Sequence, residues 1–283
     1  MRVLGVSDRA ELLRRLRGDR ALSFRTRDAV EATARAALQR AQAALAGWFG
    51  VLPTAACEVA RIGALEEPHT TAAYYRRPSA DGARPGRYYI NTYAPETRPR
   101  YEAEALAYHE SIPGHHLQIA IAQALPGLPA FRRHAGVTAF VEGWALYAER
   151  LADEMGLYSS DLDRIGVLSY DGWRACRLVV DTGMHALGWS RRQAINFLLA
   201  HTALSEQNIV NEVDWYVVWP AQALAYKLGQ LELLRLRAEA ARRLGARFDV
   251  KTFHDAVLGH GAVALEPLQQ AVEDFIQQRP SGA

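Results

Sequence analysis

The chain has 283 residues, 49% of them hydrophobic, and a formal net charge of +2 at pH 7. This length allows one large or two small domains with an ample core. Because basic and acidic residues almost balance and the arginines are scattered, we expect no nucleic acid and no membrane as partner. No apolar run could span a bilayer, and the first residues lack the apolar core of a signal peptide, so we predict a cytoplasmic protein. Cys57 and Cys176 are too few for a disulfide framework and are expected to be free and buried.

The first part of the chain, residues 1–50, is predicted to form helices. Asp8 and Glu11 have the spacing of a capping box that opens a short helix ending near Gly18. Apolar residues at helical spacing and many alanines predict a longer helix over residues 27–48. Gly50 and Pro53, which follow, should end this helix.

Short segments rich in β-branched and aromatic residues come next, within residues 55–95. They are C-E-V-A-R-I (57–62), T-A-A-Y-Y-R (71–76) and R-Y-Y-I-N-T-Y (87–93). These segments predict a small antiparallel sheet. The last strand should lie at an edge beside the helix that follows, where its free N–H and C=O groups could pair with an extended substrate.

Asn91, in this last strand, has two interpretations. Its side chain could bind amide groups of a substrate, or it could begin the turn before Pro95. We keep Asn91 as a candidate substrate-binding residue.

From about residue 100 to the end, nearly all of the chain has helical periodicity. We therefore predict a single domain, mainly α with a small antiparallel β-sheet (α+β), in which residues 100–283 form a helical core. Helix starts or breaks are expected near Pro126, Gly156, Gly188, Ser190, Ser205 and Gly245.

The segment H-E-S-I-P-G-H-H, residues 109–116, carries the strongest chemical signal. A His-Glu pair, further histidines and Glu142 from a second helical segment are the parts of a hydrolytic zinc site. Zinc in such a site has three protein ligands and one open position for water. Glu110, beside the first ligand, could take a proton from that water.

The spacing departs from H-E-x-x-H, in which two histidines four residues apart share one helix face. The residue four after His109 is Pro113, which cannot ligate and which removes a backbone donor. Gly114 leaves helical dihedrals at low cost. We therefore predict a kink or bulge here, and no regular helix over residues 102–124.

Two histidines are candidates for the second ligand. On a straight helix His116 is better in phase with His109, but roughly 10.5 Å away along the axis. With a two-residue bulge, His115 takes the ligand position instead. Because the Pro-Gly pair disfavours a straight helix, we favour His115 and keep His116 as a substrate-binding candidate.

Glu142 lies in a strongly apolar segment, where a carboxylate is costly unless it is paired, hydrogen-bonded or bound to a metal. We therefore interpret it as the third ligand. The neighbouring Glu149 and Arg150 are interpreted as residues of the helix surface. Gly143 would let another backbone approach closely.

These motifs resemble those of the bacterial family catalogued as domain of unknown function 885. That family carries H-E-x-x-P-G-H-H-L-Q and E-G-W-A-L-Y-A-E, found here at 109–118 and 142–149. The similarity continues in R-P-G-R-Y-Y-I-N-T-Y (84–93), R-L-V-V-D-T-G-M-H-A-L-G-W-S (177–190), W-P-A-Q-A-L-A-Y-K-L-G (219–229) and F-H-D-A-V-L-G (253–259).

The resemblance implies a gluzincin-like zinc metallopeptidase with a zincin-like helical core. Its metal ligands here would be His109, His115 and Glu142. The distantly similar thimet-oligopeptidase and carboxypeptidase Taq groups read H-E-F-G-H-A-L, and aligning G-H on G-H again selects His115. Typical members of the family are much longer, and this chain resembles only their C-terminal half.

Peptide hydrolysis also needs a donor for the developing oxyanion. By resemblance to oligopeptidases that place tyrosines late in the chain, Tyr226 is the first candidate and Tyr216 the second. A packing role for either tyrosine remains open. Arg177 could bind a peptide carboxylate or pair with Asp181, and His185 could line the cleft.

The leading hypothesis is a zinc-dependent hydrolase that cleaves peptide bonds, with Glu110 as general base. A zinc amidase or a tailoring enzyme for a small molecule is the alternative, and a non-catalytic metal-binding relative is the third. Manganese or cobalt would also suit the ligands. We further predict a homodimer, which would cover apolar surface around Trp144, Trp173 and Trp219.

Overall fold

The structure is a computed structural model that describes residues 4–278. Helices predominate in this part of the chain, and three strands form one small sheet, as predicted. The helices are α1 (Arg9–Gly18), α2 (Arg27–Ala44), α3 (Ala103–Glu110), α4 (His115–Ala124), α5 (Ala130–His134), α6 (Thr138–Glu154), α7 (Asp161–Ala186), α8 (Arg191–His201), α9 (Glu206–Val218), α10 (Gln222–Leu244), α11 (Val250–Leu258) and α12 (Leu265–Gln277). The strands are β1 (Cys57–Arg61), β2 (Ala73–Arg76) and β3 (Gly86–Ile90).

The sheet is mixed rather than purely antiparallel, and its strand order is β1-β3-β2. β3 runs parallel to β1, pairing Tyr88 with Val59, and antiparallel to β2, pairing Tyr88 with Tyr75. The prediction that the last strand lies at an edge was therefore wrong. Because β3 is paired with a neighbouring strand on each side, it has no free row of N–H and C=O groups to pair with a substrate.

Local capping signals were mostly confirmed. The Asp8 carboxylate accepts from the Glu11 amide at 2.8 Å and starts α1. In a complete capping box the Glu11 side chain would accept from the Asp8 amide. It accepts instead from the amide of the preceding residue, Ser7, at 3.1 Å. Ser190 forms the complete capping box of α8, and Ser205 caps α9.

Two glycines bring α6 and α10 into close contact. A Cβ atom on Gly143 would lie 2.5 Å from the Cα of Gly229, and one on Gly229 would lie 1.8 Å from the carbonyl oxygen of Ala139. Any larger residue would push the helices apart. Because Tyr226 lies about one turn before Gly229, this contact brings it towards Glu142 on α6.

The main core contains side chains from α2, the sheet, α3, α4, α6 and the C-terminal helices. Trp144 is fully buried in it and exposes no surface, which contradicts its expected place on an apolar face. Trp219, which follows α9, is 55% exposed as expected, and its neighbour Val218 is 72% exposed. Both cysteines are free and buried, as predicted. The homodimer stays a prediction.

None of the helices in the described part of the chain is long and apolar enough to cross a membrane.

Candidate metal centre

The predicted break between His109 and His116 is confirmed. α3 ends after Glu110 and α4 begins at His115, with a cis bond before Pro113 between them. The His116 amide donates to the Ser111 carbonyl at 2.9 Å, a span of five residues that is wider than an α-helical turn.

Two contacts fix this break. A Cβ atom on Gly114 would lie 2.0 Å from the carbonyl oxygen of His109, so only glycine fits there. The indole of Trp144 donates to the Pro113 carbonyl at 2.9 Å. Together they hold the start of α4 so that His115, and not its neighbour, faces His109.

Three potential ligand atoms converge at the break. The Nε2 atoms of His109 and His115 each lie 3.6 Å from Oε2 of Glu142. One ligand atom from each of the three residues lies within 4.8 Å of the others. Ligands of one zinc ion are about 3.4 Å apart when each lies at about 2.1 Å from the metal in tetrahedral geometry. The spacing therefore fits a single ion.

His116 points the other way. Its Nδ1 lies 2.9 Å from the Tyr75 hydroxyl and its Nε2 lies 3.0 Å from the Ala55 carbonyl oxygen. The ring is fully buried against the sheet, so both nitrogens are used in attaching α4 to it. This arrangement explains His116 as a packing residue and does not support substrate binding.

The Glu142 carboxylate has the properties of a ligand. Its Oε2 is buried and accepts no hydrogen bond from residues 4–278, and Nδ1 of His115 is likewise unpartnered. Burial raises the pKa of this carboxyl, but His115 and then His109 outweigh burial and lower it to about 2. A buried anionic oxygen without a donor is costly, and a bound cation would remove that cost.

Glu149 contacts His109 on the side away from Glu142, a role that its sequence context did not indicate. This residue is 1% exposed, and its Oε1 lies 2.7 Å from Nδ1 of His109. A carboxylate that accepts from one ring nitrogen leaves the other nitrogen free for a metal and orients the ring. Placing Glu149 on the helix surface was wrong. Glu149 follows Glu142 by seven residues, which is about two helical turns, so both lie on the same face of α6. This spacing could have indicated its place near the site.

Glu110 lies beside the cluster and is half-buried. Burial raises the pKa of its carboxyl to about 7, while the charge of His109 opposes this shift and that of Glu142 adds to it. A general base works best when its pKa lies near the working pH.

Tyr226 also lies near the cluster. Burial and the charge of Glu142 raise the pKa of its phenol. The phenol therefore stays protonated at neutral pH and can donate a hydrogen bond. Tyr216, the second candidate, is fully buried and its hydroxyl donates to Glu212 at 2.6 Å.

The sequence matches, over residues 1–272, the family described as bacterial protein of unknown function (DUF885). The chain belongs to this family. The resemblance seen in the sequence motifs is confirmed to that extent. None of the curated proteins matches the chain.

Two solved structures share the fold. A protein described as the putative lipoprotein from Colwellia psychrerythraea is 35% identical, with a TM-score of 0.93 over 98% of this chain and 48% of that one. A protein described as a putative lipoprotein of unknown function from Shewanella oneidensis is 20% identical, with a TM-score of 0.77 over 92% of this chain and 48% of that one. The chain thus spans about half the length of both. The cytoplasmic location stays a prediction.

Asn91 and His185 do not join the cluster. The Asn91 amide donates to the carbonyl oxygens of Glu67 at 2.7 Å and Thr71 at 3.1 Å, so it holds the loop before β2. It is 1% exposed, which does not support its assignment to substrate binding. His185 is exposed, and its Nε2 lies 2.9 Å from the Tyr216 carbonyl oxygen. That contact fixes α7 to α9 and offers no ring nitrogen to the cluster.

Arg177 is near the site but already paired. Its Nη2 donates to Glu212 at 2.7 Å and its Nε to the Tyr216 hydroxyl at 3.0 Å. The alternative partner, Asp181, accepts instead from the Ala221 amide. The alternative of an ion pair between Arg177 and Asp181 was therefore wrong, and the arginine pairs with Glu212 instead.

Proposed function

We propose that this protein is a zinc-dependent hydrolase that cleaves peptide bonds, in agreement with the gluzincin-like resemblance of its motifs. The convergence of two imidazole nitrogens and one orphaned, buried carboxylate oxygen carries the proposal. Two histidines and one carboxylate are a ligand set of catalytic zinc sites. Zinc, when bound, would polarise the substrate carbonyl and acidify water.

Each remaining residue has a role that its surroundings support. Glu149 orients His109 through the hydrogen bond to Nδ1. Glu110 takes a proton on its carboxylate from the attacking water and passes it to the leaving amine. Tyr226 donates its phenolic hydrogen to the oxygen that gains negative charge. A purely structural metal would need neither Glu110 nor Tyr226.

The test combines metal analysis with turnover of a mixed peptide library, followed by mass spectrometry. We expect about one zinc per chain, as three ligands from one chain hold a single ion. Glu110→Gln should retain zinc and lose about 10²- to 10⁴-fold in turnover, because it removes proton transfer and little else. Glu96→Gln is the matched control, since Glu96 is exposed and lies outside the cluster. Wild-type activity in Glu110→Gln, or a wild-type chain that does not retain zinc, would contradict the proposal.

A further inference from the structure

Arg174 on α7 is a buried cation whose hydrogen-bonding groups are unused. The residue is 7% exposed. Its Nε and Nη1 atoms are buried and find no acceptor in the described residues. A guanidinium carries five N–H donors, and leaving charged donors unpaired in the interior is costly. The protein therefore retains this arginine for something other than a closed ion pair.

Aromatic rings hold the guanidinium in place without occupying its donors. Its central carbon lies 3.6 Å from the ring centroid of Trp173, 5.0 Å from that of Tyr170 and 5.5 Å from that of Tyr226. Such rings attract the cation through their faces. The rings cover the faces of the guanidinium, and its in-plane Nε and Nη1 groups have no acceptor among residues 4–278.

Arg174 lies next to Tyr226, close to the candidate metal centre. Its central carbon lies 5.5 Å from the centroid of the Tyr226 ring. Tyr226 lies on α10 about one turn before Gly229, which packs against Gly143, the residue that follows Glu142. The guanidinium therefore lies beside the tyrosine that we propose acts on the substrate.

Arg177, about one turn further along α7, shows the contrast. It donates to Glu212 and to Tyr216, so its charge is matched inside the protein. Arg174 has a nearby acid in Glu102, but no hydrogen bond joins the two, and burial raises the pKa of that carboxyl to about 7. The carboxyl of Glu102 therefore does not occupy the donors of Arg174.

We propose that Arg174 binds a carboxylate group of the substrate, next to the bond that is cleaved. This inference rests on the proposed hydrolase function and adds a substrate class to it. A planar carboxylate can accept two parallel hydrogen bonds from a guanidinium. The carboxylate comes from the C-terminus of a peptide or from an acidic side chain.

Binding is tested in zinc-loaded Glu110→Gln, in which we expect turnover to be about 10²- to 10⁴-fold slower, by titration in a calorimeter. The probes are the tripeptide Ala-Ala-Phe, its C-terminal amide, and Ala-Ala-Glu with a C-terminal amide. We expect Ala-Ala-Phe to bind on the order of 10- to 100-fold more tightly than its amide, the usual value of hydrogen bonds to a charged group. Ala-Ala-Glu with a C-terminal amide identifies the source of the carboxylate. It binds as tightly as Ala-Ala-Phe only if an acidic side chain can take the place of the C-terminus. Equal affinity for all three probes would overturn the proposal.

Substitution of the arginine assigns the effect. Adding Arg174→Gln should make the affinities for the acid and the amide equal, and Arg174→Lys should restore part of the difference, since lysine keeps the charge and loses the planar fork. Arg164→Gln is the control on the same helix, because Arg164 is exposed and pairs with Asp153 at 2.7 Å. A preference for the acid that survives in both Arg174 variants would also overturn the proposal.

The wild-type chain separates this inference from the proposed function. Hydrolysis of Ala-Ala-Phe, its C-terminal amide and the amide of Ala-Ala-Glu with equal kcat/KM would refute the carboxylate site and leave the hydrolase intact. An Arg174-dependent preference in binding, with no hydrolysis of any peptide by the wild-type chain, would refute the hydrolase and leave the carboxylate site intact.

Discussion

Two buried histidine clusters meet the same helix, α6, and they differ in one respect. His254 on α11 uses both ring nitrogens: Nε2 lies 2.7 Å from the Tyr147 hydroxyl and Nδ1 lies 2.9 Å from the Trp48 carbonyl oxygen. In the candidate metal centre, Nδ1 of His115 and Oε2 of Glu142 have no partner within residues 4–278. Burial alone therefore does not distinguish structure from function. In this pair of clusters, the difference lies in the hydrogen-bonding atoms that remain unused.

The contrast holds even between adjacent residues. His115 and His116 are both buried, yet the ring of His116 is hydrogen-bonded to Tyr75 of β2 and to the Ala55 carbonyl, whereas Nδ1 of His115 has no partner within residues 4–278. A pair of single substitutions thus compares the two kinds of histidine within one helical turn.

The largest effect is expected for His115→Gln. It should abolish stoichiometric zinc binding, because only two of the three protein ligands, His109 and Glu142, would remain. The free energy of unfolding of the metal-free protein should change little, since no hydrogen bond of the His115 ring is lost. Elemental analysis and urea unfolding in a chelator measure the two quantities.

His116→Gln is the matched control for that experiment. It should retain zinc but destabilise the metal-free fold, by about 1–3 kcal/mol for a buried group left unsatisfied. If His116→Gln lost zinc while His115→Gln kept it, the assignment of ligands would be reversed.

The histidine choice shows what the sequence could predict. The Pro113–Gly114 pair indicated the break, and the break favoured His115, because covalent geometry acts locally and is visible in the sequence. Helix boundaries with caps or glycines were predictable for the same reason. The pairing partners of β3 were not, because strand order depends on contacts between distant segments.

Glu149 and Arg174 were missed for a different reason. The adjacent Glu149 and Arg150 are a pair typical of a helix surface, and only the packing of the assembled helices shows that Glu149 and Arg174 are buried. Periodicity could have indicated Glu149, which repeats the phase of Glu142. No local pattern marks Arg174, since its unused donors are a property of the assembled fold.

Glu149→Gln should have an intermediate effect. The amide keeps the shape of the side chain but loses the negative charge that holds the His109 ring, and such partners are typically worth 10- to 100-fold in metal affinity. Competition with a chromophoric zinc chelator measures this loss. Glu154→Gln on the same helix is the control, because Glu154 pairs with Arg237 at 2.6 Å, away from the cluster. Unchanged zinc affinity in Glu149→Gln would show that the contact with His109 is only structural.

The smallest effect concerns the pH dependence of the stability that His254 contributes through its hydrogen bonds to Tyr147 and Trp48. Burial lowers the pKa of His254 to about 4; the bond to Trp48 and the charge of Asp249 oppose this shift, and the charge of Arg237 adds to it. In the unfolded chain this histidine should titrate near its ordinary pKa, about 6.5. Between these values the unfolded state binds the extra proton, so the contribution of His254 to stability is complete above about pH 6.5 and is lost as the pH falls towards 4.

At pH 5 this loss amounts to about 2 kcal/mol relative to neutral pH. Urea unfolding of the metal-free protein at pH 7.5 and pH 5 should show it in the wild type, together with the losses from other groups. His254→Gln should be less stable at pH 7.5, because glutamine cannot reproduce both hydrogen bonds, but its stability should fall less on acidification. The difference between the two pH-dependent losses isolates His254, since every other titrating group is common to both proteins. An identical loss in wild type and variant would mean that His254 takes up its proton without unfolding, and that the bonds to Tyr147 and Trp48 do not require the neutral ring.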